Sequence, residues 1–208
     1  MLIVALTGGI ATGKSVVSTI LSQKGCYVQN ADQVAHQLLE PGSEIFEELV
    51  NHFGPVILNE TGKVNRRNLA EIIFKNPEER AYLNRLTHPL VLEKIKRTIK
   101  ELEKEGNYEI YITEAALVIE AGYYQFYDRI ILTYCSTEIQ IQRLAFRDNL
   151  SREQALERIL AQLPDSEKIP YAHYLIDTSG SLSETVEQTE KVFLNLYQDA
   201  WLKKSGRL

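Results

Sequence analysis

Residues 2–6 form a continuous apolar run closed by Thr7, Gly8 and Gly9, the pattern of a short strand buried on both faces. Beyond Gly13 the period changes. Val16, Val17, Ile20 and Leu21 fall at helical spacing on one face, and Gly25 stands where a helix of that length stops. Residues 26–29 predict a second strand, so the chain opens as strand, helix, strand, the order of a right-handed parallel crossover.

The stretch from about 35 to 105 reads as helical, with breaks at Pro41-Gly42, Gly54-Pro55, Thr61-Gly62 and Asn76-Pro77. Its last helix carries Leu92, Ile95, Ile99 and Leu102 on one stripe. Residues 108–113, 129–133 and 174–176 are short and rich in β-branched and aromatic side chains, which predicts three more strands. Residues 137–140, 151–154 and 181–184 each match the capping box that opens a helix, the last running to about residue 202. The expectation is an α/β fold, a five-stranded parallel sheet flanked by helices, in which the strand-poor block is a helical insertion rather than a separate domain.

Composition narrows the class. At 44% hydrophobic and 25% charged the chain is an ordinary globular protein, which excludes disorder, collagen and coiled coil. The formal charge of −5 speaks against a surface built to grip phosphate backbones, so no nucleic-acid partner is expected. Cys26 and Cys135 lie at the edges of apolar runs without CxxC spacing, which fits a reducing cytoplasm. The first apolar run has no basic residues before it and passes straight into glycines. It predicts neither a signal peptide nor a membrane span.

The chemistry enters at Gly8-Gly9-Ile10-Ala11-Thr12-Gly13-Lys14-Ser15, which satisfies GxxxxGK[ST] with an apolar strand before it and an amphipathic helix after it. A diphosphate needs backbone N–H groups converging on it, hence glycine where a Cβ would block the approach, and a helix N-terminus adds partial positive charge. Lys14 then reaches the β and γ oxygens, and the Ser15 hydroxyl can ligate Mg²⁺. The fold expectation becomes that of a P-loop NTPase. A guanine switch would want an N/T-K-x-D tetrapeptide, and none occurs; Asp177 to Gly180 matches DxxG but lies far beyond the loop. A motor or AAA-type ATPase would be longer, whereas this length suits a small-molecule kinase.

Such a kinase needs a group that accepts the proton of the attacking hydroxyl, beside the phosphate loop on an adjacent strand end. Asp32, directly after the second strand, is the candidate base; its other reading is an N-cap for a helix from Gln33 onward. Transfer also needs cations over the phosphates. Arg143 and Arg147 share a helix face and predict a lid, the alternative being a solvated face with Glu138 or Asp148 as partners.

With these residues in view the chain resembles the dephospho-CoA kinase family over nearly its whole length. The phosphate loop, Gly25 with Asn30-Ala31-Asp32, Glu40-Pro41-Gly42, Phe53-Gly54, Arg66, Ile73-Phe74, His88-Pro89, Arg143, Arg147-Asp148, Ala161-Gln162 and Ile176-Asp177 match in order and spacing. Departures from the family pattern are Asn30 for its first signature Asp, Glu114 to Glu120 where Asp-x-Pro-Leu-Leu-x-Glu is common, and His173 and Thr178 for an Asp and an Asn. The resemblance implies ATP-dependent phosphorylation of the ribose 3′-hydroxyl of dephospho-CoA, with Mg²⁺ at the phosphates. It implies a core of about 1–34, 106–134 and 172–208, a helical substrate region of about 35–105 and a lid of about 135–171. Catalysis would fall to Asp32, Lys14, Arg143 and Arg147. ATP would be held by Gly8, Gly9, Ala11, Thr12, Gly13, Lys14, Ser15 and Val16, and the substrate by Arg66, His88, Glu114 and Glu120. Arg66 and His88 can equally be a surface arginine and the start of a helix, and the aromatic run Tyr123, Tyr124, Phe126, Tyr127 can be core packing or a crevice wall. A P-loop kinase for another nucleoside or nucleotide, or an ATP-binding module without transfer, are the alternatives.

Overall fold

The computed structural model describes the backbone of residues 1–208 and every side chain but that of Phe74, which lies outside the described residues. The chain runs β1 (Leu2–Thr7), α1 (Lys14–Gln23), β2 (Tyr27–Asn30), α2 (Ala31–Leu38), α3 (Phe46–Phe53), α4 (Arg66–Lys75), α5 (Pro77–Glu105), β3 (Ile110–Glu114), β4 (Arg129–Tyr134), α6 (Thr137–Asp148), α7 (Arg152–Leu160), α8 (Asp165–Lys168), β5 (Tyr174–Asp177) and α9 (Leu182–Lys204). Short 3-10 turns lie at Pro55–Ile57, Tyr123–Phe126 and Ile169–Tyr171. The five expected strands are present, with ends moved by a residue or two. Two compact units result: Met1–Gln29 with Leu102–Leu208, and Asn30–Glu101, against expected boundaries of 35 and 105 for the helical block.

The first unit holds the sheet, in the order β2-β3-β1-β4-β5, with β1 parallel to β3 and to β4, and β4 parallel to β5. The opening strand, helix, strand therefore does not join neighbours, because β3 inserts between β2 and β1. Burial explains the order: Ile110 to Thr113 are all buried, as a central strand requires, whereas the four residues of β2 are only half-buried and suit an edge. Alternate residues of β1 serve the two faces. Leu2, Val4 and Leu6 pack with Val17 and Leu21 of α1 and with Val192, Leu196 and Ala200 of α9. Ala5 packs on the other face with Val118, Tyr127 and Ile130, so the aromatic run is core packing at Tyr127, with Tyr124 and Phe126 against the same cluster. Each such buried aliphatic or aromatic side chain contributes about 1.5–3 kcal/mol by leaving water. Asp199 of α9 accepts two hydrogen bonds from Arg129 at 2.8 and 3.1 Å, which fixes that helix along the sheet.

Ser151 and Ser181 cap α7 and α9 with complete capping boxes, as their spacing predicts. At α6 the expectation is off by one: Ser136, not Thr137, is the N-cap and accepts from the Ile139 amide, because its extended backbone puts the hydroxyl under the first turn. Gln140 is thereby released from capping.

The second unit buries Leu38, Ile45, Leu49, Ile57, Leu69 and Leu83 in a core of its own. α5 begins at Pro77, as expected, and continues without a break through Pro89. His88 thus lies in a helix interior and does not start one. The ring at Pro89 removes one N–H from the ladder of a helix 29 residues long, and the other turns carry it past the gap.

Candidate active site

The phosphate loop leaves β1 and enters α1 through Gly13, which is left-handed at φ +86° and serves as the N-cap. Gly8 is obligatory for a different reason. A Cβ there would come within 2.3 Å of the Thr133 carbonyl oxygen, and its φ of +147° is foreign to L side chains. Lys14 folds back over the loop and donates to the Gly8 and Gly9 carbonyls at 2.8 and 2.9 Å, so its ammonium lies above the turn whose amides would meet a phosphate. Thr12 bridges the loop to β4: its hydroxyl donates to the Gly9 carbonyl at 2.8 Å and meets the Thr133 hydroxyl at 2.8 Å.

The middle of the loop is held by side chains from three distant elements. Gln140 of α6 donates to the Ile10 carbonyl at 2.8 Å, and Gln162, just past α7, accepts from the Ile10 amide at 2.7 Å. Arg143 donates to the Ala11 carbonyl at 3.1 Å, to the Thr178 hydroxyl at 3.0 Å and to the Thr178 carbonyl at 2.6 Å. The Thr178 hydroxyl in turn donates a hydrogen bond to the Thr12 carbonyl at 2.9 Å. Ala11 is held at φ +60°, a strained position for a residue with a Cβ, and these contacts fix its neighbours on both sides. Ile10 and Ala11 also pack on Ile141, Leu144 and Ala155, tying the loop to α6 and α7.

A cavity of about 420 Å³ opens beside the loop. Gly13, Ser15 and Arg143 supply its polar wall, and Val16, Phe146 and Leu182 its apolar one. Arg147 also borders it, held by Asp148 through two bonds of 2.8 and 2.9 Å that keep the Asp148 carboxyl below its ordinary pKa. The two arginines are therefore engaged differently, Arg143 with the Ala11 and Thr178 carbonyls and the Thr178 hydroxyl, and Arg147 with a carboxylate. Glu138 pairs instead with Arg152 at 2.8 Å. Asp177, of the DxxG tetrapeptide, receives the Ser179 amide in a tight turn. His173 accepts the Ile130 amide at 3.1 Å, a strand-end role that needs no ligand.

Glu114 ends β3 in register with Leu6, and the Ala115 amide bonds the Leu6 carbonyl at 3.0 Å. It therefore stands on the strand next to the phosphate-loop strand, a place the sequence had suggested for Asp32; β2, which precedes Asp32, is one strand further out. Glu120 forms an ion pair at 2.7 Å with Lys168, whose side chain is wholly buried.

In the second unit Asn30 caps α2, its side chain accepting the Gln33 amide at 3.0 Å. The cap reading of Asp32 is thereby corrected: Asp32 lies in the first turn with its carboxylate exposed, and the departure at Asn30 supplies the cap. One turn on, His36 meets Arg66 at 3.3 Å, and Arg66 reaches Glu40 at 3.7 Å. Burial and the nearby Arg66 cation hold His36 below the usual imidazole range. Spacing from Asp32 by four on a helix was the signal that would have found His36. His88 is half-buried, and that burial likewise lowers its pKa. Gln140 carried no such local signal, and Gln162 and Thr178 entered the sequence reading only as positions of the family pattern.

The dephospho-CoA kinase (CoaE) family model matches residues 2–184. A dephospho-CoA kinase of Carboxydothermus hydrogenoformans is 40% identical over 202 residues, covering 97% of this chain and 98% of the relative. The crystal structure of TT1252 from Thermus thermophilus superposes with a TM-score of 0.80 at 30% identity, over 93% of this chain and 96% of that one. A dephospho-CoA kinase from Campylobacter jejuni superposes with a TM-score of 0.69 at 29% identity, over 95% and 98%. Because the match runs from β1 into the first turn of α9, and relatives align along nearly their whole length, the chain belongs to the dephospho-CoA kinase family.

Proposed function

We propose that this chain transfers the γ-phosphoryl group of ATP to the ribose 3′-hydroxyl of dephospho-CoA, giving coenzyme A and ADP. The chain is a kinase, and coenzyme A biosynthesis is its setting. The observation that carries the reading is the phosphate loop of a family member with its lysine folded over Gly8 and Gly9.

In this reading the amides of residues 9–15 and the N-terminus of α1 take the phosphates, and Lys14 swings from the loop carbonyls to the β and γ oxygens. The cavity lined by Val16, Phe146, Leu182 and Thr178 takes the nucleoside. Asp32 accepts the hydroxyl proton, the freed oxygen attacks the γ-phosphorus, and the bond to the bridging oxygen breaks to release ADP. Arg66, with His36 beside it, and His88 serve the substrate, and Arg143 and Arg147 spread the charge of the transferred group. Glu114 is the next carboxylate at the strand ends.

Among the described residues no group of three or more His, Cys, Asp or Glu could hold a metal alone. Mg²⁺ dehydrates reluctantly and binds through substrate phosphates with one or two protein oxygens, so it does not require such a group. The Ser15 hydroxyl, exposed on the cavity wall, would be one of them. The ion would neutralise charge on the β and γ oxygens. Among the described residues no helix is long and apolar enough to cross a membrane. The two cysteines are free and buried, which supports a cytoplasmic setting.

The test is Asp32→Asn. Since Asn30 makes the cap, the substitution leaves α2 in place, and loss of a general base lowers kcat by ~10²–10⁴-fold with little change in KM. Measured with dephospho-CoA and Mg-ATP, turnover within threefold of the unsubstituted protein removes Asp32 from the mechanism. Phosphorylation of other nucleosides in preference to dephospho-CoA overturns the substrate.

A further inference from the structure

The ion pair between Glu120 and Lys168 is not accounted for by phosphoryl transfer. The Lys168 side chain is fully buried and that of Glu120 is 16% exposed; they meet as an ion pair at 2.7 Å, and among the described residues the ammonium and both carboxylate oxygens have no hydrogen-bond partner. Taking two charges out of water for one contact is a poor way to gain stability, since an apolar pair of similar volume does as well or better. A pair kept in that form fixes position, because its attraction is tied to two particular atoms.

The segment it fixes is α8, a single turn that cannot hold itself in place. Lys168 is its last residue and Pro164 its N-cap. Two residues before Pro164 is Gln162, which accepts the Ile10 amide of the phosphate loop at 2.7 Å. At the first position of α8 is Asp165, whose carboxyl feels both Lys168 and Lys14. The tether thus lies one helical turn from a carboxyl within the field of the phosphate-loop lysine, and six residues from the group that holds the loop. At its other end, Glu120 belongs to the segment after β3, which is bonded to β1 through Ala115 and Leu6.

We propose that Glu120 and Lys168 are positioning residues for the phosphate loop: their pairing sets the place of α8, and through it keeps Gln162 on the Ile10 amide. The inference rests on the phosphate-loop reading above, but its direct readout, exchange of one amide, does not require turnover.

The experiment compares the full chain with Glu120→Gln/Lys168→Met, which removes the two paired charges together and leaves the Asp165 carboxyl facing Lys14. Hydrogen exchange at the Ile10 amide should quicken by about tenfold as Gln162 loses its place. KM for ATP should rise roughly 3- to 10-fold, the worth of one hydrogen bond, with a smaller change in kcat. Gln162→Ala should reproduce both effects, and combining it with the double variant should add nothing further, because both act on one contact. A folded double variant with unchanged Ile10 exchange and KM within 1.5-fold overturns the proposal, as do effects that multiply with Gln162→Ala. Should the double variant fail to fold, Glu120→Asp, which shortens the tether by one methylene, gives the same reading. Quickened Ile10 exchange in it supports the proposal and unchanged exchange overturns it. Absence of ATP turnover in the unsubstituted protein, with Ile10 still protected, would count against the functional reading alone.

Discussion

Thr178→Val isolates what the loop owes to a residue 166 positions away from its hydrogen-bond acceptor. The Thr178 hydroxyl is buried, receives Arg143 at 3.0 Å and donates to the Thr12 carbonyl at 2.9 Å. Valine has nearly the same shape, so no cavity opens, and the change reads the two hydrogen bonds. A neutral bond contributes about 0.5–1.5 kcal/mol and one to a charged donor about 1.5–3 kcal/mol. Arg143 keeps its contacts with the Ala11 and Thr178 carbonyls, so the charged share falls at its lower end. The expected loss is about 2–3 kcal/mol, or a melting temperature lower by about 4–12 °C for a chain of this size. Urea unfolding of the substituted protein measures it, with Thr178→Ser as the control that keeps the hydroxyl and loses only a methyl group. A loss for Thr178→Val below about 0.5 kcal/mol, or a Thr178→Ser as damaged as the valine variant, refutes the reasoning.

Gly8→Ala should cost about 2–6 kcal/mol, from overpacking against the Thr133 carbonyl together with backbone strain, and a variant as stable as its parent would contradict the close approach. Lys14→Ala should abolish most turnover at saturating ATP while circular dichroism stays unchanged, because the lysine's hydrogen bonds go to the Gly8 and Gly9 carbonyls of the loop; near-normal turnover would remove it from the site. Stability should fall with acid below about pH 6.5, because His36, His88 and His173 all have folded pKa values beneath the imidazole reference. The unfolded chain then binds more protons than the native one, so these groups favour folding above that reference and lose the contribution as pH drops through their folded values. Urea midpoints from pH 7.5 to 5 should show this decline, reduced in His88→Gln; a flat profile contradicts it.

The sequence by itself determined what consecutive residues can encode. The phosphate loop is eight adjoining residues whose glycines set the backbone, so Gly8, Gly13 and Lys14 are legible without any partner. The same holds for the strands and for the caps at Ser151 and Ser181, where an acceptor and its amide are three residues apart. Even there, competition between neighbours was settled only in three dimensions: Ser136 and Asn30 took the caps that spacing had offered to Thr137 and Asp32.

Tertiary structure alone decided which strand lies beside β1. β3 arrives after the second unit, and its unbroken burial, which no local pattern ranks against that of β2, puts Glu114 next to the loop strand. It also decided what holds the loop. Gln162 lies 152 residues from Ile10, Arg143 132 from Ala11, and Thr178 166 from Thr12. These are uncharged or singly charged side chains of common type, and what distinguishes them is a strand order that brings β1, β4 and β5 together. A backbone conformation can be written in neighbouring residues, but a hydrogen bond across the sheet exists only once the sheet has been assembled.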